Sequence, residues 1–390
     1  MRYDRAFFDA GVNRRGTFCE KWDDPQAVPE GGLPLWVADM DFPCAAPIAQ
    51  ALRERAEHPC YGYNMENPAD AQAVCAFWKR RHGLEMLPEQ TRMLPCVVTG
   101  LRAAVRAFTA PGERVAFFTP VYGPFAASVR DNGRQAEAVP LLQAEDGRYQ
   151  MNLPGMERAL RAGARLILLC NPHNPVSRLW TREELTALCR LAAEYEAVVV
   201  SDEIHADFAY APGRFIPLLS LPEARERAVM LCSASKTFNI AGLQQATAVS
   251  FAPALLEKLG RVCGEAGVTS GNTFALAATR AAYTACDDWL DGLLSYLTEN
   301  RAALEAGVKR YLPRARLTPV EATYLAWLDL RAYGKSCDEL TALFWKQGVK
   351  LSEGNFFGPE GEGFMRLNFG CPQGMIEEGL RRMARALEEE

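Results

Sequence analysis

Short apolar runs alternate with helical periods from about residue 96 onward. Residues 96–99 read as a strand and 101–110 as a helix; 114–119 as a strand, 125–132 as a helix and 135–140 as a further strand. Residues 165–170 form a continuous apolar run that predicts a buried strand. An amphipathic period follows over 181–196, with Thr181 as its cap and Glu184 three positions on, and 197–201 is again apolar. Runs at 228–232 and 246–251 complete the set. Strands that are apolar throughout and separated by helices predict a mostly parallel sheet covered on both faces, a doubly wound α/β domain.

Beyond residue 272 the texture changes. A long helical stretch over 275–311 is followed by an apolar run at 322–330, a helix over 336–347, short runs at 349–352 and 364–369, and a terminal helix. This pattern predicts a smaller α+β domain. Residues up to about 43 are rich in Gly, Pro and aromatic side chains without a long period, so this segment is expected to lie across another surface. The division expected is an N-terminal arm over 1–45, a large domain over 46–284 and a small C-terminal domain over 285–390.

Composition narrows the class. The chain has 390 residues, 49% of them hydrophobic, and a formal charge of -5, which describes an ordinary globular protein large enough for two cores. No basic block tracks a phosphate backbone, no run reaches the length of a membrane span and the N-terminus lacks the apolar centre of a signal peptide, so neither nucleic acid nor membrane is expected as a partner and the location expected is cytoplasmic. Twelve cysteines are scattered singly with no C-x-x-C pair, and none of the four histidines stands in a zinc-ligand spacing, so free thiols and no structural metal are expected.

Ligands of open parallel sheets sit beyond the carboxyl ends of the strands, which makes the residues just after each apolar run the ones to inspect. These are Gly100, Tyr122, the run Asn171-Pro-His-Asn174, the run Asp202-Glu-Ile-His205, and Ser233-Ala-Ser235-Lys236. A lysine between small hydroxyl residues can form a Schiff base with an aldehyde cofactor, and pyridoxal phosphate would use each of the other groups. Amides of Leu101 and Arg102, at a helix opening after Gly100, would bind its phosphate together with the Ser233 hydroxyl. Tyr122 offers a stacking face, Asp202 a partner for the ring nitrogen and Asn174 a donor to the ring oxygen. Each has an ordinary alternative: Lys236 on an exposed loop, Asp202 as a helix cap, Tyr122 as a turn aromatic, Asn174 in an Asx turn. Five strand ends that all supply a suitable group make coincidence a poor explanation.

Segments spread over the chain carry a resemblance: RRGTFCEKWD at 14–23, LPLWVADMDF at 33–42, YGY at 61–63, TPVYGPF at 119–125, LCNPHNPVSRLW at 169–180, SDEIHADF at 201–208, SASKTFNIAGL at 233–243 and MRLNFG at 365–370. With these motifs the chain resembles fold type I pyridoxal phosphate enzymes of the aspartate aminotransferase superfamily, and within them the MalY/PatB group of cystathionine β-lyases, or C-S lyases. The resemblance implies that Lys236 holds the aldehyde, that Asp202 pairs with the pyridinium, that Tyr122 stacks and that Asn174, His205, Ser233 and Ser235 contact the cofactor. It also implies that Arg366 binds the substrate α-carboxylate, with Ala38 on the substrate side and Trp36 and Phe356 nearby, and that Tyr61 reaches the phosphate of a neighbouring subunit in a homodimer. For Arg366 the ordinary alternative is a surface salt bridge.

The departures are specific. His205 stands where the wider superfamily commonly has tyrosine, and Gln244 where many aminotransferases have arginine. Arg102 replaces an apolar residue, and Ser177 replaces glycine in the NPHNPVGR pattern, which matters if that position needs a positive φ. The activity implied is α,β-elimination from cystathionine or another S-substituted cysteine, with pyruvate, ammonia and a thiol as products. An aminotransferase shares the early steps, and a regulator on the same fold is the non-enzymatic alternative. A DNA-binding regulator is not expected, because the likeness starts almost at Met1.

Overall fold

The computed structural model describes residues 3–24, 28–65, 67–268 and 271–388. Its largest sheet has seven strands in the order Thr91–Leu94, Ala246–Val249, Ala228–Cys232, Val198–Asp202, Ala164–Cys170, Arg114–Thr119 and Gln135–Pro140. Neighbours from Ala228–Cys232 to Gln135–Pro140 pair in parallel, whereas Ala246–Val249 runs antiparallel to both of its neighbours. The central strands are buried on both faces, and alternate residues feed two separate cores. Val115, Phe117, Leu166, Leu168, Val200 and Val229 pack on one side, and Ala116, Phe118, Ile167, Leu169, Val199 and Met230 on the other.

Register decides where the functional groups emerge. Cys170 lies opposite Asp202, and Asp202 opposite Leu231. Adjacent parallel strands that end level deliver the turns after 170, 202 and 232 to a single edge.

The second sheet has four antiparallel strands, Arg316–Leu317, Leu325–Asp329, Phe364–Asn368 and Ser352–Glu353, with Arg366 paired to both Trp327 and Ser352. The N-terminal segment crosses onto this part of the chain. Leu33–Pro34 pairs in parallel with Val349–Lys350, Asn368 N–H donates to Leu35 O, and Phe8 packs among Phe42, Trp289 and Tyr296. Residues 36–42 are thereby laid across the edge where the large sheet's strands end.

Two expectations need correction. Residues 96–99 are not a strand: the strand is Thr91–Leu94, Cys96 caps the next helix through Sγ and the helix is Val97–Phe108. A Cys-Val-Val run suits a buried helix turn as well as a strand, and the helix won because its apolar face packs on the sheet. The long stretch after 272 is two helices, Thr273–Ala285 and Asp287–Tyr311, broken at Cys286. Helices at Ala46–Glu57 and Pro68–His82 lie ahead of the alternating region, in sequence that the period left unassigned. Among the described residues no helix is long and apolar enough to cross a membrane.

Candidate active site

Lys236 sits in the one-turn helix Ala234–Thr237 that follows strand Ala228–Cys232, with Ser233 as its N-cap accepting from Ser235 N–H. The turn is fixed from below by Thr237, whose hydroxyl donates to Asp207 at 2.6 Å, while His82 meets the other oxygen of Asp207 at 2.9 Å. The lysine amine projects into the interior and donates to Ala38 O at 2.6 Å. Burial lowers its pKa, opposed by Asp39, by Asp202 and by Glu20, while Arg366 lowers it further. An exposed-loop lysine is ruled out.

Asp202 ends its strand buried, and the only hydrogen bond to its carboxylate among the described residues is from Ile204 N–H to Oδ1. Burial raises its pKa to about 7, against which the Ile204 amide and Lys236 act. A carboxylate enclosed with so little compensation is poised for a cation or an N–H donor that the chain does not itself supply.

Arg366 shows the same imbalance with the opposite sign. It is buried on strand Phe364–Asn368, and donates to Trp36 O at 2.7 Å, Ser352 Oγ at 3.0 Å and Asn174 Oδ1 at 3.1 Å, with its guanidinium 4.8 Å from the Phe357 ring. No carboxylate pairs with it among the described residues, and burial lowers its pKa to about 10. The surface salt bridge considered for this residue is thereby excluded. A guanidinium held by neutral acceptors, with its fork oriented and no carboxylate partner among the described residues, is suited to receive an anion.

The remaining expected residues separate into two groups. Tyr122 is half-buried, its phenol pushed up in pKa by burial, and its ring lies 6.3 Å from exposed Phe356. Asn174 is drawn in through Arg366. His205 is buried beside Tyr324, its Nδ1 has no hydrogen-bond partner among the described residues, and burial lowers its pKa to about 3. Among the described residues it makes no hydrogen bond to Asp202. Ser233 and Ser235 share a hydrogen bond at 2.8 Å and the Ser233 hydroxyl also meets Gln245 O.

Gly100, Leu101 and Arg102 belong elsewhere. They lie in the second turn of helix Val97–Phe108, with Gly100 N–H bonded to Cys96 O. A Cβ on Gly100 would stand 2.9 Å from Leu231 Cδ2, so this glycine serves close helix–sheet packing. Arg102 points outward to Asp131 at 2.6 Å. The helix start moves back to Val97 and Val98, whose N–H groups lead the first turn and have no intrahelical partner. Sequence reasoning missed these two because it read 96–99 as strand.

Tyr61 is 55% exposed and donates to Ala56 O of its own chain at 2.7 Å, with its ring near Phe274. Gln244 is exposed at φ 57. Also unread in the sequence were the clamps on residues 36–42. Asn368 donates to Val37 O and Asp39 O; Asn239 donates to Met40 O and Phe42 O and accepts from Met40 N–H; Tyr324 donates to Ala38 O at 3.0 Å.

Together these groups fit pyridoxal phosphate. Asp202 calls for a cationic ring N–H, Lys236 for an aldehyde, and the helix start with the two serines for a phosphate, while Arg366 is left over for a carboxylate. The unpartnered Nδ1 of His205 and Nε of Arg366 are further polar atoms that the chain alone does not satisfy.

A family model described as aminotransferase class I and II matches residues 35–383. The chain is similar to the cystathionine beta-lyase PatB of Bacillus subtilis, with 40% identity over 385 residues covering 97% of this chain and 99% of the relative. It is also similar to the protein MalY of Escherichia coli, with 32% identity covering 97% and 98%. Among solved structures it is similar to cystalysin from Treponema denticola, which contains a pyridoxal 5'-phosphate cofactor, with a TM-score of 0.94, 27% identity and 100% of both chains covered. The PLP-bound C-S lyase from Staphylococcus hominis aligns with a TM-score of 0.90 and 28% identity, over 98% of this chain and 99% of that one.

Proposed function

The chain belongs to the aminotransferase class I and II family, and on that premise we propose that it is a pyridoxal 5'-phosphate-dependent carbon–sulfur β-lyase that releases a thiol, pyruvate and ammonia from L-cystathionine or another S-substituted cysteine. The observation that carries the reading is a pair of buried, uncompensated charges of opposite sign, Asp202 and Arg366, both acting on the lysine amine between them. Full-length similarity to proteins named as β-lyases selects elimination among the reactions such a site supports.

When bound, the cofactor supplies an aldehyde that condenses with amines and a cationic ring that draws electrons from Cα. Everything else falls to the chain. Lys236 would hold the cofactor, and its burial favours the neutral amine, the form that can take the substrate's α-proton. Asp202 would accept from the cofactor's ring N–H and favour the cationic ring. Arg366 grips both oxygens of the α-carboxylate and so fixes which bond at Cα faces Lys236. Tyr122 would cover the ring face, and the amide nitrogen of Asn174 would serve the ring oxygen, since its Oδ1 already accepts from Arg366.

The phosphate would be met by the amides of Val97 and Val98, by the field of the helix they begin, and by Ser233 and Ser235. With Gln244 in place of an arginine, dipoles and hydroxyls take a larger share of that charge. Tyr61 is assigned to the partner's phosphate in a homodimer, a reading supported by its exposure near the chain's surface. Residues 46–284 are read as the cofactor-holding unit, and 285–390 with the arm 1–45 as the part that brings Arg366 and Ala38 over it.

The test is chemical. Purified protein should be yellow, borohydride should bleach it and fix the cofactor's mass on the peptide containing Lys236, and thiol should be released from cystathionine. Lys236→Ala should lose all three properties. Wild-type protein that stays colourless after addition of pyridoxal phosphate rejects the reading.

A further inference from the structure

Beneath the Ala38 carbonyl lies a charge network that the proposed reaction does not use. Lys21 is 0% exposed, and its ammonium meets Asp41 Oδ2 at 2.7 Å, Asp39 O at 3.3 Å and Asp39 Oδ1 at 3.6 Å. Arg14 spans both acids, reaching the two Asp39 oxygens at 2.7 Å each and Asp41 Oδ1 at 2.9 Å. The Trp22 indole N–H adds a bond to Asp41 Oδ1 at 2.8 Å. Two cations and two anions are enclosed in one cluster, at a desolvation cost that a mere surface link would not incur.

What the cluster holds is the short span between Trp36 and Asp41. Trp36 O receives Arg366, Ala38 O receives Lys236, and Asp39 is the neighbour of Ala38 in the chain. We propose that Asp39, held in place by Arg14 and Lys21, is a positioning residue that fixes the direction of the Lys236 amine through the Ala38 carbonyl and sets its charge state through its own field. The inference rests on Lys236 being the cofactor-bearing lysine.

The groups facing Lys236 come from every element packed on it. Asp202 and His205 come from the end of strand Val198–Asp202, Arg366 from strand Phe364–Asn368, Glu20 from the short helix Glu20–Asp23, Tyr324 through the shared Ala38 carbonyl, and Asp39 from the arm. Of these charges Asp39 acts on the amine most strongly, ahead of Arg366 and Asp202. Asp39 itself is held below the usual carboxylate range, since Arg14 and Lys21 outweigh its burial, so it is an anion whenever the lysine titrates. Arg14 partly cancels that anion as seen from Lys236. Removing one or the other should therefore move the lysine in opposite directions, which no loss of scaffolding does.

The experiment strips the full-length protein of cofactor, adds pyridoxal phosphate and follows chromophore formation against pH, with no substrate present. Only the neutral amine condenses, so the acid limb of the rate profile reports Lys236. Asp39→Asn should shift that limb down by ~0.5–1 pH unit and Arg14→Gln should shift it up by a similar amount. Arg14→Lys, which retains the charge, should leave it at the wild-type position. Thermal unfolding of each variant is measured alongside. Limbs that stay in place, or that move the same way in Asp39→Asn and Arg14→Gln, overturn the proposal and leave the cluster a purely structural anchor. If Asp39→Asn does not fold, the contrast between Arg14→Gln and Arg14→Lys decides alone. A wild-type protein that forms no chromophore rejects the cofactor reading first, and this inference with it.

Discussion

Arg366 illustrates how one residue's burial becomes a function. A guanidinium surrounded by a carbonyl, a hydroxyl and an amide oxygen, with no anion beside it among the described residues, destabilises the fold relative to a paired one, and on the proposed reading the substrate supplies its counterion. Arg366→Ala should therefore weaken binding of the amino acid, with a loss of ~2–4 kcal/mol in kcat/KM, roughly 30- to 1000-fold, carried mainly by KM. An unchanged KM would show that the carboxylate docks elsewhere. Glu203 is the neighbouring case in which burial serves structure. It accepts from Ser201, Asn171 and Leu218 on one oxygen, its other oxygen has no partner among the described residues, and burial raises its pKa to about 8. A carboxyl raised in the folded state confers stability that is fully present below about pH 4.5 and is lost as pH rises through about 8, at ~1.4 kcal/mol per pH unit. Glu203→Gln should abolish that decline, so the difference in unfolding temperature between variant and wild type should widen from pH 5 to 8 and then level off. A constant difference would contradict the assignment. At this scale the gathering of Lys236, Asp202, Tyr122 and Asn174 at one edge was legible, because strand ends of a parallel sheet must converge. Lys21 and Asp39 were not, since nothing local in a sequence says that a lysine near an aromatic will be sealed inside.

Helices and turns were legible where local chemistry fixes them. Thr181 and Glu184 form the capping box expected of them, and helix Arg182–Glu194 follows. Cys286 gave no sign of the break it makes, because neither Gly nor Pro marks the site and the apolar period runs through it. Ser177 does sit in the left-handed region, at φ 55, where the related pattern has glycine. Its hydroxyl is bonded to Leu325 O and Thr323 Oγ1, which ties the strained turn to the second sheet and explains how serine is tolerated there. The turn from Gly354 to Gly361 carries Phe356 and Phe357 to the mouth of the site. A Cβ on Gly354 would lie 1.9 Å from Gly361 O, a backbone atom that cannot yield without displacing the turn. Gly354→Ala should lower the unfolding temperature and raise KM through loss of the Phe357 face against Arg366, with the chromophore retained because Lys236 and Asp202 are untouched. Loss of the chromophore in a folded Gly354→Ala protein would contradict this division of labour.

Across the whole molecule, the large sheet brings Lys236 and Asp202 to one edge, the second sheet brings Arg366, and the arm threads residues 36–42 between them. The arrangement of the large sheet followed from the alternation of apolar runs; the path of the arm did not, because its contacts are made by carbonyls that any sequence possesses. Architecture alone does not separate elimination from transamination, since both use the same lysine, aspartate and arginine and differ in where the substrate's electrons go. The most direct measurement is incubation of the purified protein and pyridoxal phosphate with L-cystathionine, with and without a keto-acid acceptor. The account predicts pyruvate, ammonia and homocysteine in equal amounts at the same rate in both. Product formation that depends strictly on the acceptor, with no ammonia released, would contradict it.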